Sequence, residues 1–301
     1  MSRPDTFTPP PGARAFQLAT SRGEFAAIEM PSAPGAAHRG TALLLPGYTG
    51  SKEDFIALHA PLAARGYRTV AVDGRGQFES EGPDHDEKAY AQSELAQDLL
   101  SQGHTLAEAA GARIHLLGHS LGGQISRAAV LRDASPFRSL TLMSSGPAHI
   151  SDSQRQRVTM LREALSSLSM EQVWDVMQAM EATVAPEVLA EQPDTVPLRE
   201  RWLRTRPAQL LATGRQLCEE PDRVGELAAV GLPCHVLSGA RDDVWPVELF
   251  DDMAVRLGAR RTVVEGAEHS PNVDRPAETA RAIAGFWDDV PLDGPSPTAG
   301  G

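Results

Sequence analysis

The chain has 301 residues, 41% hydrophobic and 23% charged, an ordinary make-up for a soluble globular protein with room for one large α/β domain or two small ones. Its formal net charge of −12 argues against nucleic acid or an anionic membrane as a main partner, since both select for basic surfaces. No apolar run approaches the length of a membrane span, and residues 1–12 are polar and proline-rich, without the charged-then-apolar order of a secretory signal.

In chain order, residues 1–14 read as a disordered lead. Two short extended runs follow between residues 16 and 30, broken by Ser21-Arg22-Gly23, a hairpin signal. Thr41-Ala42-Leu43-Leu44-Leu45 is a continuous apolar run, as expected of a central strand buried on both faces. It ends in the loop Pro46-Gly47-Tyr48-Thr49-Gly50. Ser51 and Asp54 then make a capping-box-like pair for a helix to about Arg65, with Gly66 as its stop. The next strand, residues 67–72, closes on Asp73-Gly74-Arg75-Gly76, and a polar loop leads to a helix from about Glu87 to Ala110.

Ile114-His115-Leu116-Leu117-Gly118-His119-Ser120-Leu121-Gly122-Gly123 reads as an apolar strand running into a Gly-x-Ser-x-Gly turn, with a helix-compatible segment behind it. That is the form of a nucleophile elbow. Glycines two residues either side of the serine let the turn tighten until the hydroxyl stands clear at the sheet's C-terminal edge. The bare pattern is weak in a chain with 26 glycines; the strand before it and the helix after it carry the reading. A further strand at 138–143 ends in Ser144-Ser145-Gly146-Pro147. This alternation implies a parallel sheet with helices on both faces and right-handed crossovers.

The alternation breaks between residues 148 and 230, a helix-compatible stretch interrupted by Pro186, Pro193, Pro197, Pro207 and Pro221. It is too long for a loop and reads as a helical cap over the sheet's C-terminal edge. A strand at 234–238, a helix at about 247–257, a strand at 261–264 and a helix at about 276–289 complete the pattern. The expected organisation is a core of residues 15–147 and 231–290, the cap at 148–230 and a disordered tail at 291–301.

A serine hydroxyl needs a base to take its proton, and in this architecture the partners follow in the order serine, acid, histidine, each in a loop at a strand's C-terminal end. After Ser120 the histidines are His149, His235 and His269. His235 lies inside a strand, and His149 precedes any strand-end acid, which leaves His269. The acid is Asp242 or Asp243, with Asp242 preferred because it lies closer to the strand end. The other would be a helix-start acid near the macrodipole. Oxyanion donors are expected from the backbone N–H of Leu121 and from the loop Gly47-Tyr48-Thr49, assigned to Tyr48. No metal motif, P-loop or dinucleotide fingerprint appears, so no cofactor or metal is expected. His115 and His119, four apart on a strand and its turn, lie about 13 Å from each other, too far to share a metal. Cys218 and Cys234 read by default as free thiols of a cytoplasmic protein, with a disulfide left open.

At these residues the chain resembles the α/β-hydrolase superfamily, from about Phe16 to Val290. The carriers are Gly118-His119-Ser120-Leu121-Gly122-Gly123, Gly239-x-x-Asp242-x-x-x-Pro246 and Gly266-x-x-His269-Ser270. The resemblance implies an eight-stranded, mostly parallel sheet, a cap between the sixth and seventh strands and usually no cofactor. It looks most like capped carboxylesterases, lysophospholipase-like enzymes and similar small-molecule hydrolases. Two departures stand out. Pro46-Gly47 replaces a frequent His-Gly, and Asp73-Gly74-Arg75-Gly76-Gln77-Phe78-Glu79-Ser80 replaces a frequent Asp-x-Arg-Gly-His-Gly-x-Ser. The second loop is usually structural and receives no role.

The cap decides the substrate. Met170, Trp174, Met177 and Met180 share one helical face, either packing cap on body or walling an acyl or alkyl group. Trp174, Met177 and Trp245 are the candidate substrate contacts. Arg199, Arg201, Arg204 and Arg206 read as a solvated helix face, with contact to an anionic substrate group as the alternative. The expected activity is hydrolysis of a small-molecule ester or thioester through an acyl-enzyme on Ser120. Acyl transfer and carbon–carbon hydrolysis by the same triad are alternatives, and a non-catalytic ligand-binding module is a distant one. Ser120 at the elbow opposes an aspartate-nucleophile mechanism. Oligomeric state is not legible.

Overall fold

The computed structural model describes residues 2–184 and 195–291. Eight strands form one sheet: β1 (Arg14–Thr20), β2 (Gly23–Met30), β3 (Gly40–Leu45), β4 (Tyr67–Val72), β5 (Ile114–His119), β6 (Phe137–Met143), β7 (Cys234–Gly239) and β8 (Arg260–Val264). Their order is β1-β2-β4-β3-β5-β6-β7-β8. The β1–β2 and β2–β4 pairs are antiparallel and all the others parallel. From β3 the chain steps to β4 on one side and then returns to β5 on the other. The C-terminal ends of β3 and β5 therefore bound a topological switch point, where open α/β sheets bind ligands.

The central strands are buried along their length and largely apolar because both faces are covered. Leu43, Leu45, Leu116, Leu140 and Leu142 face one core, shared with Leu95 and Leu99 of the helix Gln92–Ala110 and Ile125 and Ala129 of the elbow helix Leu121–Arg132. Ala42, Leu44, Leu117 and Met143 face the other, with Leu58 and Leu62 of the helix Ile56–Ala64 and Ile283 and Trp287 of the helix Pro276–Asp289.

Two expected helices start differently. Lys52–Phe55 is a 3-10 turn before the helix proper, with the Asp54 N–H on Ser51 O at 3.0 Å. Glu87–Tyr90 is a second 3-10 turn, opened by the Asp86 carboxylate on Lys88 N at 3.0 Å and closed by the buried Tyr90, whose hydroxyl donates to Pro83 O at 2.7 Å. The lead, expected to be disordered, instead lies against the cap from residue 2 onward. Phe7 packs on the cap's apolar cluster, and the Arg201 guanidinium sits 5.5 Å over its ring and donates to Ser2 O. The expected tail lies outside the described residues beyond Pro291.

Within the insertion, the helices Asp152–Leu165, Met170–Val184, Val196–Arg204 and Pro207–Glu219 share a small core of Leu165, Val173, Trp174, Leu198, Trp202 and Leu210. Pro197 and Pro207 sit in the first turns of their helices, where a missing N–H costs nothing. Pro186 and Pro193 lie outside the described residues. The last helix, Val224–Val230, puts Val224 and Leu227 into the body's core beside Phe250 and Met253. Among the described residues no helix is long and apolar enough to cross a membrane, and Cys218 and Cys234 are free and buried.

Candidate active site

β5 is buried along its whole length and ends at His119. Ser120 follows with φ 54° and ψ −121°, a conformation side chains rarely adopt. The flanking glycines explain why the chain tolerates it. A Cβ on Gly118 would stand 2.4 Å from Gly122 O, and one on Gly122 would stand 2.4 Å from Leu45 O. Backbone meets backbone at both points, so no side chain fits. The Ser120 N–H is tied to Met143 O at 2.9 Å, and Leu121 opens the elbow helix with its N–H lacking an intrahelical acceptor.

The structure brings Ser120, His269 and Asp242 together. His269 Nε2 lies 3.1 Å from Ser120 Oγ, and its Nδ1 donates to Asp242 Oδ2 at 2.8 Å. The Asp242 side chain is fully buried. Its other oxygen accepts the N–H groups of Val244 at 2.8 Å and Trp245 at 3.1 Å. Asp243 turns away to the surface, where it accepts from Gln154 Nε2 at 2.7 Å and Arg157 Nη1 at 3.4 Å on the cap. It is a tie to the cap rather than a helix-start acid. His235 is buried beside Thr262, its pKa pushed down to about 3 by burial and then by Arg260 and Arg261. His149 stays outside the group, with Nδ1 on Ile150 O at 3.0 Å.

The loop after β3 runs past the serine. A Cβ on Gly47 would lie 3.2 Å from Ser120 Cβ. Tyr48 borders the cavity, with its hydroxyl donating to Leu210 O of the cap at 2.9 Å and its pKa raised by burial. The loop after β4, to which sequence reasoning gave no role, braces this one. Gln77 Nε2 donates to Gly47 O at 2.8 Å while its Oε1 accepts the Gly74 N–H at 2.9 Å. Its place where the resembling family often has histidine marks it as a departure, but no pattern in the sequence signals these contacts. Behind it Asp73 holds Lys52 through Nζ at 2.9 Å and the backbone N–H at 2.7 Å, its pKa pushed up to about 7 by burial and then by Glu53.

A cavity of about 150 Å³ opens over Ser120 and His269. Its cap-side wall is mostly aliphatic, with Ile150, Val158 and Leu217 beside Gln154, and Val244 joins from the acid loop. Asp54 also reaches this wall, paired to the buried Arg201 at 2.8 Å. Three expected substrate contacts are elsewhere. Trp174 is buried in the cap's own core and Met177 packs against it, because their helical face meets the helix Val196–Arg204. Trp245 is fully buried behind the triad, its ring 6.1 Å from that of His269 and its Nε1 donating to Ala148 O and His149 O at 3.0 Å. Of the arginine run, Arg199, Arg204 and Arg206 pair with acids at partly exposed positions, whereas Arg201 is buried. Among the described residues no His, Cys, Asp and Glu side chains group to hold a metal.

A sheet with its switch point at β3 and β5, and a serine, histidine and aspartate meeting there, define the class of hydrolases built on this fold. Residues 42–282 match the model of the Alpha/beta hydrolase family, and the chain belongs to it. Among named proteins it is similar to the pimeloyl-[acyl-carrier protein] methyl ester esterase of Aeromonas hydrophila, 27% identical over 75% of this chain and 87% of that protein. It is also similar to the 2-hydroxy-6-oxononadienedioate/2-hydroxy-6-oxononatrienedioate hydrolase of Cupriavidus pinatubonensis, 27% identical over 68% and 70%. In fold it resembles a thermophilic esterase from Thermogutta terrifontis, with a TM-score of 0.70, 21% identity and coverage of 92% and 99%.

Proposed function

We propose that the protein is a serine hydrolase that cleaves a small carboxylic ester or thioester. His269 Nε2 takes the Ser120 proton as Oγ attacks the carbonyl carbon. The Leu121 and Tyr48 N–H groups receive the oxyanion. The tetrahedral intermediate collapses to an acyl-Ser120, and the imidazolium returns its proton to the leaving alkoxide or thiolate. Water, deprotonated by the same Nε2, then releases the acid and restores the serine. The observation that carries this reading is His269 bridging Ser120 and a buried Asp242 at the floor of a cavity.

Carbon–carbon hydrolysis by the same triad is the second reading, and the Cupriavidus relative is named as a hydrolase of a 2-hydroxy-6-oxononadienedioate. A dienedioate carries two carboxylates, and the described cavity wall presents no cation that is not already paired to an acid. The aliphatic wall supports a neutral acyl group and therefore the ester. The two free cysteines support a reducing compartment such as the cytoplasm. Fluorophosphonate labelling with peptide mapping tests the proposal. An adduct on Ser120 that is absent in Ser120→Ala and much slowed in His269→Ala is expected; a folded wild-type protein that stays unlabelled by small phosphonylating probes would refute it.

A further inference from the structure

His119 occupies the first variable position of the Gly-x-Ser-x-Gly turn and takes no part in the proton transfers above. It is 2% exposed, and its Nε2 lies 2.8 Å from the main-chain oxygen of His269. A carbonyl oxygen only accepts, so Nε2 carries the proton and Nδ1 holds a lone pair. Nδ1 is buried without a partner, which fits a neutral ring. Two adjacent residues at one strand end thus hold one residue of another loop at two points: Ser120 at the imidazole and His119 at the backbone.

We infer that His119 is a positioning residue: its Nε2–H ties the base-bearing loop to the nucleophile-bearing strand and so sets where the His269 imidazole sits relative to Ser120. This rests on the hydrolase reading above. The rest of the loop after β8 is held from other sides. Glu268 N donates to Asp274 Oδ2 at 2.8 Å, and Arg241 N reaches Ala267 O only at 3.5 Å. His119 therefore supplies the tie toward β5. The groups facing it suit a neutral donor. The His269 ring is 5.2 Å away and turns cationic during turnover, and Asp242 lies beyond it. Burial, and then His269, push the His119 pKa down to about 3, so the ring does not compete for the transferred proton.

The test compares His119→Phe, which keeps a ring and loses the N–H, with His119→Gln, whose Nε2 can reach the same carbonyl. Both are measured for kcat, KM and fluorophosphonate labelling rate, beside thermal melts. The Phe variant is expected to lose roughly 10²-fold in kcat and labelling with KM little changed, the cost of misplacing a reacting group by about an ångström. The Gln variant should recover to within a few-fold. Wild-type labelling rates in the Phe variant, or equal losses in two folded variants, would overturn the inference. A measurement needing no variant stands beside it: ¹⁵N NMR of the wild-type imidazoles. His119 is expected as the Nε2–H tautomer, unchanged from pH 8 to 5. A proton on Nδ1, or titration in that range, would overturn the inference even if the variants fail to fold. A wild-type protein that shows this tautomer but never labels would refute the hydrolase reading instead.

Discussion

Replacing Asp242 by asparagine keeps the side chain's shape and removes its charge and one acceptor. The surroundings dictate how the amide sits. The Val244 and Trp245 N–H groups converge on Oδ1 at 2.8 and 3.1 Å, so the amide oxygen stays there and the NH₂ faces His269 Nδ1. Two donors cannot face each other at 2.8 Å. The imidazole therefore moves its proton to Nε2, where the Ser120 hydroxyl needs an acceptor. In a serine protease the same change lowers turnover about 10⁴-fold, or about 5.4 kcal/mol of activation free energy, and a loss of that order is expected. The melting temperature should stay within a few degrees, because the two backbone bonds persist. Asp243→Asn is the control. Its carboxylate is 66% exposed and bonds only to the cap surface, so turnover should stay within about twofold. Steady-state ester hydrolysis and fluorophosphonate labelling read both variants. Asp242→Asn activity within tenfold of wild type, or a larger loss in Asp243→Asn, would refute the assignment of the acid.

Other expectations follow from single contacts. Gly122→Ala drives a methyl to 2.4 Å from Leu45 O and 2.5 Å from Pro46 O, displacing the loop that carries Tyr48. Kcat should fall by about 10²–10³, the cost of losing one oxyanion donor, and an unchanged kcat would separate this loop from catalysis. Gln77→Ala strands Gly47 O and Gly74 N and should cost about 1–3 kcal/mol in urea unfolding; a change below half of that would mean that other groups satisfy them. His235, with its pKa lowered to about 3 by burial, binds a proton near pH 6.5 only when unfolded. Its contribution to stability is intact above pH 6.5 and falls by about 1.4 kcal/mol per unit as pH drops toward 3. His235→Gln should flatten the pH dependence of unfolding by that slope between pH 6 and 4, and an unaltered slope would mean that the native protein protonates it. In an ester panel, neutral acyl groups of up to about six heavy atoms, the size a cavity near 150 Å³ holds, should outrun equally long groups ending in a carboxylate by at least about tenfold. The reverse preference would point to a cation reaching the wall.

The apolar runs of β3 and β5 were legible because burial on both faces leaves little polar alternation, and the order serine, acid, histidine pointed to Ser120 and His269, which the structure places 3.1 Å apart. Other features depend on contacts that no local pattern encodes. Periodicity showed that Trp174 and Met177 face something apolar, but not whether that is a substrate or the neighbouring helix. Asp242 and Asp243 are adjacent and chemically identical. What separates them is the turn that aims the Val244 and Trp245 N–H groups at one of them. Gln77 sits where the resembling family often has histidine, and only its two backbone contacts reveal it as a brace. Phe7, lone in a proline-rich lead, gave no sign of the cap cluster it joins.

The helical insertion is fastened on both sides of Ser120 and His269. Arg201 and Leu210 hold Asp54 and Tyr48 on the β3 side, and Gln154 and Arg157 hold Asp243 beside the acid. This limits how freely the insertion can be exchanged between relatives. A chimera that imported a foreign insertion without an arginine at the place of Arg201 would leave Asp54 a buried, unpaired carboxylate, a defect of about 3–5 kcal/mol. Recombinants at this boundary therefore have to inherit both partners together or lose both. Directed evolution of a new acyl preference has more room in the aliphatic wall residues Val158 and Leu217 than in wholesale replacement of the insertion.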